Sequence, residues 1–254
     1  MMKALTFRLS GRTAFFRKPD VNSYAYFTYN NIHKIALLGI IGAIIGLGGH
    51  LDQYDKKSNF PKFYEKLKDI KIGIEPLSKH GVFTKKIQAF NNSVGYASKE
   101  EGGNLIVREQ WLENPAWNIY MQLEGYKGNK PEAILIDKIY DYFSNSKCEY
   151  IPYLGKNDHY ADIKGPKLVE VEHIDKTDHI DTLFPIEETE LGNMAYDFLL
   201  SGENAFFFKE IAPFSFNKEV AYGYKEMCKT NLTVISKSDN LNSYIYEDKV
   251  IVFY

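Results

Sequence analysis

The sequence predicts an α+β fold. Three observations predict it: short runs rich in β-branched and aromatic residues, three helical segments set among them, and polar, glycine-bearing turns between the two kinds of segment. The first run, Ala4–Leu9, reads as a strand. An Arg- and aromatic-rich loop follows, and then an apolar, glycine-dotted helix over Ile32–Leu47. Gly39, Gly42 and Gly46 lie three and four apart, so they share one helical face and permit close approach of a strand or another backbone. The helix is therefore expected to pack tightly on a sheet, with Gly48-Gly49 as its stop.

A second helix is expected over Pro61–Asp69, and strands over Ile70–Leu77, Val82–Phe90, Leu105–Trp111 and Asn118–Leu123. The third helix, Pro131–Phe143, opens on a first-turn proline and places Ala133, Ile136, Ile139, Tyr140 and Phe143 on one face. The order strand, helix, strands, helix, further strands is compatible with the split βαβ arrangement of ferredoxin-like and RNA-recognition folds. Asn91–Asn104, polar and glycine-bearing between two strands, reads as the tip of a long hairpin that projects as an arm. Beyond Cys148, Pro, Asn, Asp and Gly become frequent, which places a soft boundary there. No internal repeat is visible.

Composition narrows the function classes. The net charge of −2 does not advertise a nucleic-acid binder, yet it averages over an asymmetry. Lys3, Arg8, Arg12, Arg17, Lys18 and Lys34 face Asp20 alone in the first 34 residues, whereas Glu170–Glu190 holds Lys176 as its only Lys or Arg. A localised basic patch matters more for binding than the total. Cys148 and Cys228 stand apart with no C-x-x-C motif, which points to a reducing compartment, and the expected location is cytoplasmic. The apolar run Ile35–Leu47 spans about 13 residues, roughly 20 Å as a helix against the ~30 Å of a bilayer core, so it reads as a buried helix rather than a membrane span.

The loop ahead of that helix carries the chemistry. Cations and the rings of Phe15, Phe16, Tyr24, Tyr26, Phe27 and Tyr29 are gathered before a helix N-terminus, where unpaired N–H groups and the helix dipole favour an anion. Charges for phosphates and flat faces for bases are the parts that hold a single strand of nucleic acid.

Several motifs, in order, resemble the Cas-five family, the CRISPR-associated proteins of type I interference complexes. They are G-x-x-A-x-F-R-K in Gly11–Lys18, T-Y in Thr28-Tyr29, the L-L-G-I-I-G-A-I-I-G run of Leu37–Gly46, R-E-Q-W-L-x-N-P-x-W-x-I-Y in Arg108–Tyr120, and P-Y-L-G-K-N-D in Pro152–Asp158. The flavour is closest to the type I-B branch, and the C-terminal third matches more loosely. The resemblance implies a repeat-associated RNA-binding fold. Its ferredoxin-like core would lie within 1–147, with a β-hairpin thumb at about 85–110 and a small β-rich part over 148–254. It also implies a subunit that caps the 5′ handle of the CRISPR RNA in Cascade during antiviral defence and touches the Cas-seven backbone subunit and the large subunit. A contact with target DNA near the PAM stays open, and no membrane partner or cofactor is implied. On this chain the handle surface would fall on Arg12, Phe16, Arg17, Lys18, Tyr29, Asn31, His33 and Lys34, with Lys85, Lys86, Lys99 and Arg108 as phosphate contacts along the thumb.

The type I-C branch of the same family also cuts precursor RNA without a metal, using a Tyr, a Lys and a His. Tyr29 matches the position of that Tyr, and His33 is near enough in sequence to act as a base, but the Lys-His pair has no secure counterpart. The expectation is therefore a non-catalytic subunit, with metal-independent endoribonuclease as the alternative. His173, Asp175, Asp178, His179 and Asp181 gather potential ligands without a metal-site spacing, so they read as a solvated acidic loop and no metal is expected.

Overall fold

Side chains alternate across a strand, and Met2–Ser10 (β1) uses that alternation to divide two cores. Leu5, Phe7 and Leu9 enter the main core, and Ala4 enters a smaller one on the opposite face. The computed structural model describes residues 1–19, 24–123, 130–195, 197, 204–239 and 241–254, with the side chains at 98 and 130–132 not described. Asp20 thus lies outside the described residues.

After β1 come β2 (Thr13–Ala14), α1 (Lys34–Ile44), α2 (His50–Lys56), α3 (Lys62–Leu67) and β3 (Ile72–Pro76). Helix α1 is shorter than the sequence pattern predicts. Gly46 takes a left-handed backbone (φ 77°), its N–H bonds the Ala43 carbonyl, and the Leu47 N–H reaches back to the Gly42 carbonyl at 2.8 Å. This capping motif stops the helix ahead of Gly48-Gly49. The close approach that the glycines permit is to α3 rather than to a strand. A Cβ at Gly42 would stand 2.4 Å from Cβ of Phe63. Helix α2 had no sequence signal, and it buries none of its residues.

The chain continues through β4 (Lys85–Asn91), β5 (Ile106–Glu113), β6 (Ala116–Gln122), α4 (Lys130–Ser144) and β7 (Asp162–Ile174). Helix α4 inserts Ile139 and Phe143 into the main core and leans Leu135 and Ile136 against it. Ala133 and Tyr140, expected on the inner face, are exposed. The remaining strands are β8 (Phe184–Pro185), β9 (Thr189–Leu191), β10 (Phe207–Phe216), β11 (Tyr222–Thr230), β12 (Val234–Lys237), β13 (Ser243–Tyr246) and β14 (Lys249–Val252).

Six strands form one antiparallel sheet in the order β14-β13-β7-β1-β6-β3. Its two edges curl toward each other until the sheet is nearly closed. Ile72 on β3 and Tyr254 exchange backbone bonds of 3.2 and 3.1 Å, while Asp181 bonds Val250 and Leu183 bonds Ile74. Closure of this kind occupies groups that an open sheet edge leaves unpaired. Strand β7 and the β13–β14 hairpin lie beyond the boundary placed at Cys148, so the central sheet draws on both sides of it. Strands β10, β11 and β8 make a second sheet, and β9 pairs with β12. No helix among the described residues is long and apolar enough to cross a membrane.

The expected long hairpin is β4–β5, registered from Lys85 opposite Leu112 to Asn91 opposite Ile106. Strand β2 adds to its base through Thr13 and Glu113. The Pro152–Asp158 segment is locked beside it: the Phe15 N–H donates to the Leu154 carbonyl at 3.0 Å, and Gly155 sits at φ 88°. A Cβ there would lie 2.0 Å from the Phe15 carbonyl oxygen. Gly155→Ala is therefore expected to destabilise the fold by about 2–4 kcal/mol, from strain plus the displaced strand. Urea unfolding checks this, and a change below about 0.5 kcal/mol contradicts the packing described.

Candidate nucleic-acid interface

The Arg- and aromatic-rich loop is extended chain rather than irregular coil. Phe16–Lys18 runs antiparallel to Phe27–Tyr29: the Lys18 N–H bonds the Phe27 carbonyl and the Tyr29 N–H bonds the Phe16 carbonyl, both at 2.8 Å. The other edge of the second segment lies parallel to β5, with the Tyr26 N–H on Arg108 and the Gln110 N–H on Tyr26. The two segments thereby widen the β4–β5 hairpin, and the loop and the thumb form one surface.

Arginine marks that surface. The chain contains four arginines, Arg8, Arg12, Arg17 and Arg108. All four are exposed, and none forms an ion pair with a carboxylate among the described residues. The Arg17 guanidinium lies 3.8 Å from the Tyr26 ring centroid, and that of Arg108 lies 5.3 Å from the Tyr24 centroid. Stacking on a ring holds the planar fork in place while leaving its N–H groups to donate. Arg12 stands at the hairpin base, where its carbonyl accepts the Asn114 N–H.

The other predicted residues divide by burial. Phe16, Tyr29, Asn31, His33 and Lys34 lie inside the protein. Phe16 packs edge-on to Trp117, and the Asn31 side chain accepts the Trp117 indole N–H at 3.0 Å and donates to the Gly81 carbonyl. Tyr29 packs against His33 with ring centroids 5.3 Å apart. His33 is the N-cap of α1, its Nδ1 accepting the Ala36 N–H at 3.2 Å. The Lys34 ammonium donates to the Tyr254 backbone oxygen at 3.1 Å. The helix N-terminus that the sequence offered to an anion is consequently capped and enclosed. Desolvation lowers His33 to about 3, so its ring is neutral and an acceptor. Desolvation, reinforced by Lys71, lowers Lys34 to about 8.

Lys18 is half-buried, neutralised by Glu210 at 3.1 Å, and lies over the Tyr29 ring. Lys85 and Lys86 point to opposite faces of β4 by alternation. Lys85 shares its face with Arg108, and burial lowers its pKa despite the opposing pull of Glu210. Lys86 pairs with Glu113 at 3.3 Å. Lys99 is exposed in the one-turn helix Ala97–Lys99 at the hairpin tip.

Tyr24 and Tyr26 belong to the rings of the loop, but sequence reasoning did not mark them as site residues. Their alternation in an extended segment was the available signal. Lys156 also escaped it. This lysine ion-pairs with Glu109 and Asp158 and lies 4.8 Å from the Phe90 centroid on the face of the hairpin opposite Arg108. Among the described residues, no group of three or more His, Cys, Asp or Glu is arranged to hold a metal.

No family model and no curated protein matches this chain. Solved structures do. A CRISPR protein from Archaeoglobus fulgidus is 11% identical over 99% of this chain and 98% of its own, with a TM-score of 0.50. The two share a fold. A chain of a CRISPR RNA-guided surveillance complex is 12% identical over 91% of this chain and 90% of its own, with a TM-score of 0.48. A chain of a type III-B Cmr-beta complex bound to cognate target RNA and AMPPnP is 12% identical over 98% and 86%, with a TM-score of 0.44.

The buried cap has a pH signature. Below pH 6.5 the unfolded chain takes up a proton at His33 that the folded chain refuses until about pH 3. This residue thus removes stability progressively across that interval, about 2 kcal/mol by pH 5, and none above it. His33→Asn keeps a capping acceptor. It is expected to melt lower than wild type at pH 7 yet to lose less further stability between pH 7 and 5. Parallel melting profiles of the two proteins would contradict the assignment.

Proposed function

We propose that the protein is a non-catalytic CRISPR RNA-binding subunit of a type I, I-B-like interference complex. In this reading it seats the 5′ handle of the guide on the widened hairpin and contacts the Cas-seven backbone and large subunits. The observation that carries the reading is the segregation of arginine. Three of the four arginines, Arg12, Arg17 and Arg108, belong to the surface formed by the loop and the thumb, exposed and without carboxylate partners among the described residues. Arginine forks neutralise phosphates, and exposed Tyr24 and Phe27 offer faces to splayed bases. The element order β1, α1, β3, β6, α4, β7, with strands laid β7-β1-β6-β3, supports the ferredoxin-like reading of the core.

The motifs resembling the Cas-five family supply the link to the handle. The fold shared with a CRISPR protein is consistent with that link. The non-catalytic reading rests on His33 and Tyr29. A neutral, buried imidazole whose Nδ1 already accepts a backbone N–H is poorly placed to be a general base, and Tyr29 is only 3% exposed. On this reading Phe16, Asn31, His33, Tyr29 and Lys34 position the surface, and the arginines touch RNA.

The test is fluorescence anisotropy with repeat-derived RNA across a salt series. Arg12→Ala, Arg17→Ala and Arg108→Ala are each expected to weaken binding several-fold and to reduce the salt slope by about 0.7 for each phosphate that is no longer neutralised. Lys34→Met, at a buried position, is expected to weaken binding less than any of the three arginine variants. Wild-type affinity in all three arginine variants would remove the interface. Cleavage of repeat hairpin RNA in EDTA by the purified protein, slowed by Tyr29→Phe, would overturn the non-catalytic reading.

A further inference from the structure

The fourth arginine lies elsewhere. Arg8 projects from β1 on the face opposite the main core, and the sheet register aligns four polar residues across it. Glu75 on β3 lies opposite Asn118 on β6, Asn118 opposite Arg8, and Arg8 opposite Lys164 on β7. Adjacent strands are ~4.8 Å apart, so the row runs ~14 Å from an acidic end to a basic end. It floors an open cavity of about 370 Å³, walled on one side by Tyr246 at the end of β13 and by Glu247 and Asp248 of the turn that follows. That volume is of the size that holds a single small ligand.

The two ends have opposite chemistry. Glu75 is 6% exposed, and its Oε2 accepts both the Asn118 amide at 2.8 Å and the Tyr120 hydroxyl at 3.0 Å. Oε1 meets Lys249 at 3.5 Å, a long contact that leaves it accepting capacity. Asn118, having donated its amide, retains a side-chain carbonyl oxygen that accepts. This end therefore calls for a ligand edge rich in N–H donors. At the other end Lys164 pairs with Asp162 at 2.8 Å, and Arg8 has no carboxylate partner among the described residues. That end calls for an anion. Tyr246 adds a ring beside the cavity, with the Lys167 ammonium 5.2 Å from its centroid.

We propose that this cavity takes one guanine nucleotide, the N1–H and 2-amino edge of its base on Glu75 and Asn118 and its phosphate toward Arg8. Two neighbouring acceptors, Glu75 Oε1 and the Asn118 side-chain carbonyl, match the two adjacent donors of guanine, whereas adenine and the pyrimidines do not present that pair. The ~10 Å between the strands of Glu75 and Arg8 is spanned by a base with its sugar and phosphate. A free nucleotide and a nucleotide within a single strand offer the same groups. The site does not depend on the handle-binding reading, because Arg12, Arg17 and Arg108 do not line it.

The test is calorimetric titration of the full chain with guanosine 5′-monophosphate, adenosine 5′-monophosphate and inorganic phosphate. A parallel arm uses a short oligouridylate carrying one guanosine or one adenosine. The guanosine ligand is expected to bind about tenfold or more tightly than its adenosine counterpart. Arg8→Ala, at an exposed position, is expected to weaken it about tenfold, and Glu75→Gln to erase the base preference. Asn118→Ala gives the second reading of base preference where Glu75→Gln does not fold. Whichever guanosine ligand binds more tightly, the free nucleotide or the strand, identifies the source, and either supports the site. Inorganic phosphate binding as tightly as the nucleotide, equal affinity for the two bases, or unchanged affinity in Arg8→Ala overturns it. Failure of the Arg12 and Arg17 variants to weaken repeat RNA bears on the interface alone.

Discussion

Backbone hydrogen bonding on both edges of the short segment around Tyr26 to Tyr29 is the constraint on which the rest depends. One edge is held by Phe16–Lys18 and the other by β5. Between them they turn a loop into sheet and couple it to the thumb. They also place the chain entering α1 so that Asn30, Asn31, His33 and Lys34 pass through the interior rather than over the surface. Loose surface loops keep their polar side chains in water. This one is threaded between two pieces of sheet, and its polar groups must find partners inside.

They do so in a connected set. The Asn30 N–H bonds both Glu210 oxygens, its side-chain amide donates to the Gly81 carbonyl, and its side-chain carbonyl accepts the Phe83 N–H. Asn31 shares the Gly81 carbonyl and holds Trp117. Satisfied buried networks of this type rigidify a site, because losing one member strands the others without water. The residues that looked like the RNA-touching half of the loop are thus its support. A surface held this firmly loses little conformational entropy on meeting a ligand.

Periodicity made five strands (β1, β3, β4, β5 and β6) and the three main helices legible, along with the hairpin and its tip, whereas β2 and the strands from β7 onward were not individually read. The helix stop at Gly46 was less so. Gly46, Gly48 and Gly49 are equivalent in composition, and which one takes φ above zero depends on where Leu47 can reach back to Gly42. Helix α2, His50–Lys56, has no buried face, so no periodic signal existed to find. Pairing of β7 with β1 joins residues more than 150 positions apart and is invisible to local pattern. For the candidate site, the segment is legible in the sequence but the orientation of the side chains within it is not. Rings and cations at adjacent positions look alike whether they face water or the core. Arg17 and Lys18 differ by a single place, yet one stacks on Tyr26 in the open and the other is drawn into an ion pair with Glu210.

Charge distribution then explains how a chain of net charge −2 presents a basic face. Lysines make the internal ion pairs: Lys225 holds Glu187 and Glu188, Lys249 bridges Glu75 and Asp181, and Lys209 meets Glu226. Those pairs draw in carboxylates of the acidic C-terminal stretch, so part of its charge is neutralised locally and does not oppose the N-terminal patch. Arginine is excluded from such pairs among the described residues and appears only where its fork faces outward. A compact ammonium on a flexible stem suits a structural ion pair. A planar fork that stays charged at any physiological pH suits recognition of phosphate. The division is therefore one of chemistry as well as position. It separates the groups that close ion pairs within the chain from those left without a carboxylate partner among the described residues, at the widened hairpin and at the Arg8 row alike.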